Sequence, residues 1–244
     1  SPQMTGAPQL AARAAFASGA GYVRIGVPGR EASLPSPLES VQTPLGEQDW
    51  DRAVIADCGR VSAMVVGPGL GRSEAVRHGV QTVAMAVDRP MVLDGDALWA
   101  IAPLERPLSH SPRVLTPHDG EYSVLMGTPP GSDRLEAARR LAARFESTVV
   151  LKGPTTVVAR ADGQVRLVNS GDERLATAGT GQVLSGMIAA LLATGVDSFD
   201  AASAAAHVHG LAARRCNPVG MTSGELVDQL GTVWSSLAQP HPEQ

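Results

Sequence analysis

The sequence predicts an α/β protein: a doubly wound, mostly parallel sheet flanked by helices on both faces. Three observations predict it. Short apolar runs alternate with helix-forming stretches along the chain, the pattern of repeated βα units. The runs end, one after another, in loops bearing Gly, Asp or His, and in such proteins the loops at the carboxyl ends of strands hold the ligands. Apolar residues make up 43% of the chain but aromatics only 3%. A core of small aliphatic side chains suits helices packed closely on a parallel sheet.

Residues 10–18 form a helix stopped by Gly19 and Gly21, and residues 22–27 a strand closed by Pro28-Gly29. Residues 30–50, with their prolines, read as a surface connection with a short strand near Val41. Residues 51–58 read as a weak helix. The strand at 63–66 runs into Gly67-Pro68-Gly69-Leu70-Gly71, and Ser73 caps a helix to Val87 with Glu74 in its first turn. The strand at 90–93 ends in a loop from Asp94 through Gly95 and Asp96 to Leu98. The strand at 113–115 enters Thr116-Pro117-His118-Asp119-Gly120-Glu121, followed by a helix to Gly127. Residues 133–145 are amphipathic, with Leu135, Ala138, Leu141, Ala142 and Phe145 on one face.

The strand at 148–151 ends in Lys152-Gly153-Pro154-Thr155-Thr156. Residues 156–160 and 165–168 flank Asp162-Gly163, a hairpin signal. Two helices follow at 199–215 and 223–237, and 240–244 read as a loose tail.

Residues 175–192, LATAGTGQVLSGMIAALL, organise the rest. Gly179 and Gly181 bracket Thr180 ahead of an apolar run, a tight loop feeding a helix. The first amides of a helix lack internal partners and its dipole is positive there, so the loop is suited to phosphate, with the Thr177 and Thr180 hydroxyls beside it. Ser185, Gly186, Ala189 and Ala190 let that helix lie close to a neighbour. A plain glycine loop before a buried helix has the same local sequence, and both readings stand on this stretch alone.

Bulk properties narrow the function. The 244 residues suffice for one large domain or two small ones. A net charge of −4 argues against nucleic acid as partner, and no apolar run reaches the length of a membrane span. Cys58 and Cys216 make no metal spacing and read as reduced thiols of a cytoplasmic protein. The chain begins at Ser1, which reads as a trimmed start.

Lys152, the only lysine, offers phosphate a mobile point charge. His118 reads as a substrate contact or a hydrogen-bonded loop residue. Asp94 and Asp96 suit either hydrated Mg²⁺ or the fixing of neighbouring loops. Glu121 suits helix capping or orientation of the metal, and Asn169 a phosphate, the magnesium shell or a turn. His207 and His209, two apart in a helix, face different ways and make no metal pair.

Six motifs stand in order: GAPQLAARAA from Gly6, GPGLG from Gly67, LDGDAL from Leu93, LTPHDGE from Leu115, LKGPTT from Leu151 and LATAGTGQVLSG from Leu175. Together they resemble the ADP- or ATP-dependent NAD(P)H-hydrate dehydratases of the ribokinase-like superfamily, over nearly the whole chain. The resemblance implies ADP-dependent dehydration of the S-form of hydrated NADH or NADPH. The hydrate's hydroxyl is phosphorylated, and elimination of phosphate restores the cofactor and leaves AMP. ADP or ATP would be co-substrate and Mg²⁺ the metal, in a cytoplasmic homotetramer with an NAD(P)H-hydrate epimerase as partner or fused domain. The family's first strand would lie before Ser1. The chain therefore reads as a single domain, 1–244, lacking that strand or excised from a longer, epimerase-fused chain.

By motif, Ala7, Gly69 and His118 would contact the hydrated nicotinamide nucleotide. Lys152, Gly153, Pro154, Thr155, Thr156 and Gly181 would contact the adenine nucleotide. The position after Gly181 should be an aspartate beside the substrate hydroxyl; here it is Gln182. A carboxylate accepts the hydroxyl proton, whereas an amide only hydrogen-bonds. An engineered change, a degenerate copy and a variant with another base all fit the glutamine. Two other functions therefore stand beside the dehydratase. A ribokinase-like small-molecule kinase would leave a phosphorylated product that persists. A non-catalytic nucleotide-binding module would bind ADP without turnover.

Overall fold

The computed structural model describes residues 6–29, 37–108 and 111–238. The expected tail at 240–244 and the first part of the expected surface connection, 30–36, lie outside the described residues. The helices are α1 (Gly6–Ala17), α2 (Trp50–Asp57), α3 (Glu74–Ala86), α4 (Asp96–Ile101), α5 (Asp119–Met126), α6 (Arg134–Phe145), α7 (Thr180–Ala193), α8 (Ser198–Ala213) and α9 (Ser223–Ala238). The strands are β1 (Arg24–Pro28), β2 (Val41–Leu45), β3 (Met64–Val66), β4 (Met91–Leu93), β5 (Arg113–Leu115), β6 (Thr148–Leu151), β7 (Thr156–Ala159) and β8 (Val165–Val168).

The main sheet has six strands in the order β3-β4-β5-β6-β7-β8. Strands β3 to β6 are parallel, and β7 and β8 add an antiparallel hairpin. Successive side chains of a strand point to opposite faces, so a strand buried on both sides reads as an unbroken apolar run. Met91, Leu93, Leu115, Val149, Leu151, Val157 and Ala159 pack against α3, α4, α5 and α6. Val92, Val114, Val150 and Val158 pack against α1, α7, α8 and α9. Helices thus cover both faces.

Local sequence sets the element ends. Ser73, the expected N-cap, accepts a hydrogen bond from the Val76 amide, and Asp133 caps α6 by accepting from the Glu136 amide. The small residues of α7 do what their size permits: a Cβ on Gly186 would stand 2.0 Å from the Ala11 carbonyl oxygen, so α1 lies directly on α7. Arg113, 2% exposed, donates to the carbonyls of Ala84 and Val87 at the end of α3 and of Arg89.

Two features differ from the sequence reading. The stretch after β4, expected as a loop, forms the short helix α4, because Ala97, Leu98, Ala100 and Ile101 are all buried under α3 and α5. Strands β1 and β2 form a separate two-stranded parallel sheet. A cavity of about 530 Å³ lies between β1 and β3, with α1 and α7 on one side and α2 on the other.

Candidate functional site

The parallel strands β4, β5 and β6 deliver Asp94, Thr116 and Lys152 to the same edge of the sheet. Asp94 is fully buried. Its Oδ1 accepts a hydrogen bond from the Thr116 hydroxyl at 2.8 Å and lies 3.4 Å from Lys152 Nζ. The Lys152 ammonium also lies 3.6 Å from Glu121 Oε2. Burial pushes the Asp94 carboxyl up, but the Lys152 ammonium and hydrogen bonds with Thr116 and Ser185 hold it below the usual carboxylate range. Burial would likewise lower the Lys152 pKa, and the Asp94 and Glu121 carboxylates raise it on balance. The lysine is a fixed positive charge at the sheet edge.

The loop after β3 closes on this centre. Gly67 has φ +123°, and a Cβ there would lie 1.8 Å from the Asp94 carbonyl oxygen, so only glycine fits. Asp96 accepts from the Gly71 amide at 2.8 Å and from Arg72 Nε at 3.0 Å. Asp96 thus ties the loop after β3, whereas the Asp94 carboxylate is turned to Thr116, Lys152 and Gln182. Gly69, half-buried, lies in the turn so fixed.

Helix α7 begins beside the lysine. A Cβ on Gly181 would stand 3.2 Å from Lys152 Nζ, so the ammonium and the first amides of a 14-residue helix face one space. Gln182, half-buried in that turn, places Nε2 3.5 Å from Asp94 Oδ2. Thr180 departs from the expected phosphate-side hydroxyl. Its Oγ1 lies 2.8 Å from the Leu175 carbonyl and 2.9 Å from that of Thr177, and its single proton is committed to these carbonyls.

His209 lies beneath the same turn, with Nε2 2.9 Å from the Thr180 carbonyl. A carbonyl only accepts, so Nε2 carries the proton. Burial pulls the His209 pKa down to about 4, against the opposing effect of that hydrogen bond. His207, by contrast, is exposed.

His118 caps α5. Its Nδ1 accepts from the amides of Gly120 and Glu121 at 3.0 and 3.2 Å, while Glu121 Oε2 accepts from the His118 amide at 2.9 Å. This capping box commits Nδ1 to the backbone, while Nε2 lies 3.5 Å from Glu121 Oε2, on a ring that is largely exposed. Gly153 and Pro154 are exposed, and Thr155 and Thr156 half-buried, in the loop from Lys152 into β7. Thr156 pairs with Val168 at the end of the β7–β8 ladder, and Asn169 follows β8 directly. Ala7 is half-buried in the first turn of α1, the helix that lies on α7.

The sequence-chosen residues Lys152, Gly181, Gln182, Asp94 and Glu121 therefore meet. Thr116, Ser185 and the support from His209 were not singled out. Their only sequence signal is position, a hydroxyl one residue past β5 and another one turn into α7.

The mostly parallel sheet covered on both faces by helices is a ribokinase-like fold: a ribokinase-like superfamily protein of Enterococcus faecalis V583 superimposes with a TM-score of 0.82 at 25% identity, covering 98% of this chain and 85% of that one. The NAD(P)H-hydrate dehydratase family model matches residues 1–231. The ADP-dependent (S)-NAD(P)H-hydrate dehydratase of Neisseria meningitidis serogroup B is 41% identical over 222 residues, 86% of this chain and 72% of that protein. The bifunctional NAD(P)H-hydrate repair enzyme Nnr of Salinibacter ruber is 39% identical over 250 residues, 95% of this chain but 46% of that protein. The ADP/ATP-dependent NAD(P)H-hydrate dehydratase of Bacillus subtilis, co-crystallised with ATP/Mg²⁺, superimposes with a TM-score of 0.83 at 32% identity, covering 97% of this chain and 86% of that one. The chain belongs to the NAD(P)H-hydrate dehydratase family. It spans about half the length of the bifunctional relatives it matches.

Proposed function

We propose that this chain repairs hydrated nicotinamide cofactors: it dehydrates the S-form of NADH or NADPH hydrate with ADP as phosphoryl donor, releasing AMP and phosphate. The observation that carries the reading is the meeting of the only lysine with the start of α7, 3.2 Å from the Cβ position of Gly181. The α7 amides and the Lys152 ammonium hold the phosphates, and Asp94 and Glu121 fix the ammonium where phosphoryl charge develops. Lys152 to Thr156 form the adenine-nucleotide side. Ala7, Gly69 and His118 form the nicotinamide side, with the His118 Nε2 as its ring donor. The hydrate's hydroxyl oxygen bonds to the transferred phosphorus as the bond to AMP breaks, and its proton leaves through a phosphate oxygen to water. Loss of phosphate from the ring together with the proton of the neighbouring ring carbon, which passes to water, then restores the double bond. Gln182 orients the hydroxyl by hydrogen bonding and takes no proton from it.

Mg²⁺ belongs to this reading as a partner of the phosphates. Among the described residues no cluster of three or more His, Cys, Asp or Glu side chains stands ready to hold an ion. This fits Mg²⁺, which keeps several waters and takes one or two carboxylates plus substrate phosphates. Asp94 is sealed off, and Glu121, with 13% of its side chain exposed, is the carboxylate for that role. The ion supplies charge neutralisation at the phosphates.

Incubation of the chain with NADPH hydrate, ADP and Mg²⁺ tests the reading. Recovery of NADPH with equimolar AMP and phosphate supports it. Consumption of nucleotide with a phosphorylated product that persists sinks it in favour of a kinase. Gln182 favours a second reading, a module that binds ADP without turnover, for which ADP-dependent stabilisation without AMP would speak.

An epimerase partner, a homotetramer and a cytoplasmic setting go with the first reading. The bifunctional relatives support the partner. Leu38 and Val219, 98% and 87% exposed, suit surfaces that assembly covers. The expected additional strand finds support in the cavity between β1 and β3. At a rise of about 3.3 Å, a strand spacing of about 4.8 Å and a layer depth of about 10 Å, one strand residue takes roughly 160 Å³. The 530 Å³ therefore matches about three residues, the length of β3.

A further inference from the structure

Arg134 opens α6, outside the strand-end loops, yet its guanidinium reaches two of them. Nη1 donates to Asp119 Oδ1 at 2.7 Å, one residue beyond His118 in the segment that follows β5. Nη2 donates to the Lys152 carbonyl at 2.8 Å, in the loop after β6. The Lys152 amide in turn donates to the Pro117 carbonyl at 2.8 Å. The backbone of the only lysine is thus held on its amide side by the β5 loop itself, and on its carbonyl side by an arginine that grips the same loop. Gly153 makes room for the clamp, since a Cβ there would stand 2.6 Å from Arg134 Nη2. Arg134 Nε is buried and has no hydrogen-bond partner among the described residues. A buried donor left unsatisfied carries a cost, so the guanidinium is held where its two end nitrogens are needed.

We propose that Arg134 is a positioning residue: its planar fork fixes the adenine-nucleotide half of the site against the nicotinamide half, and so sets where the Lys152 ammonium meets phosphate. The inference rests on the function proposed above. Guanidinium donors lie in a rigid plane, whereas a lysine ammonium is a single point charge and spans only one of the two acceptors. Losing the fork releases the Lys152 carbonyl, and a misplacement of about 1 Å in a reacting site costs on the order of 100-fold.

The test is titration calorimetry of the chain and of Arg134→Ala and Arg134→Lys with ADP and Mg²⁺, at a temperature where thermal melts show each protein folded. Wild type binds ADP, and Arg134→Ala binds it roughly ten- to hundredfold more weakly, the size of one charge-assisted hydrogen bond. Millimolar guanidinium restores part of the Arg134→Ala affinity. Arg134→Lys keeps the Asp119 contact without recovering affinity. Should Arg134→Ala fail to fold, Arg134→Gln, whose single amide cannot span both acceptors, carries the same expectation. A lowered melting temperature with ADP affinity within twofold of wild type, and no guanidinium effect, overturns the positioning role alone. A wild-type chain that binds no ADP overturns the proposed function and this inference together.

Discussion

Replacing Gln182 with aspartate tests the chemistry of the site most directly. Gln182 stands in the first turn of α7 with Nε2 3.5 Å from Asp94 Oδ2, next to Gly181, which abuts Lys152. In Gln182→Asp the amide contact with Asp94 is lost and a second carboxylate enters. At a separation of about 6 Å and an effective dielectric of about 20, two carboxylates repel by about 3 kcal/mol. The Lys152 ammonium attracts the new charge by a similar amount, and the positive end of α7 adds about 0.3–1 kcal/mol in the same direction. The substitution is therefore close to neutral for folding. Its chemical gain is larger, because a positioned base is worth about 10²–10⁴-fold, or roughly 3–5 kcal/mol of barrier. The assay is recovery of NADPH from its hydrate with ADP and Mg²⁺, wild type and variant side by side, with ADP affinity measured in parallel. The variant should be at least a hundred times faster at unchanged ADP affinity. Equal rates in two proteins that both bind ADP would refute the assignment of position 182 to the reacting hydroxyl.

Other perturbations have equally definite outcomes. Lys152→Met leaves the buried Asp94 without its cation, which for a buried pair costs about 3–5 kcal/mol; a melt should fall by roughly 6–20 °C at 2–4 °C per kcal/mol, and ADP should no longer stabilise the protein. His209 gives a pH signature. Its folded pKa of about 4 lies below the ordinary 6.5, so the stability it contributes is present above pH 6.5 and is lost as pH falls towards 4. Between pH 8 and pH 5 that loss is about 2 kcal/mol, and the difference in melting temperature between wild type and His209→Gln should shrink correspondingly on acidification; a difference that does not change with pH would refute it. Extending the chain ahead of residue 1 with a segment that carries three consecutive Val or Ile residues should raise the melting temperature by several degrees. Each buried Val or Ile contributes about 1.5–3 kcal/mol against an ordering cost of about 1–2 kcal/mol per residue, so three consecutive buried residues come out ahead by roughly 2 kcal/mol. An unchanged melt would show that the space between β1 and β3 does not accept a strand.

Much of this geometry was legible because strand ends and helix starts carry their own chemistry. Ser73 and Asp162-Gly163 marked a cap and a hairpin, and both form. Lys152 and Gly181 could be expected at one edge because parallel strands deliver their following loops to the same end. What the residues could not reveal was who holds whom. Arg134 and Lys152 are 18 positions apart and share no periodicity, so nothing local announces their bond. The Thr180 hydroxyl looked available for phosphate because its competing acceptors, the carbonyls of Leu175 and Thr177, come within reach only when the preceding turn folds back. The α4 segment was obscured by the two aspartates and the glycine at its start, whose loop character outweighed six residues of mainly apolar helix.

One ε-amino group in 244 residues makes the protein its own reporter. An acylating reagent can place a single adduct on the side chains' amines, and that adduct falls at Lys152, where 21% of the side chain meets solvent. With two carboxylates keeping the nitrogen protonated, labelling should be slow at neutral pH and slower still when a ligand covers it. With the more reactive α-amino group acylated first, intact mass, read as one further increment or none, would then measure occupancy without digestion, a chromophore or turnover.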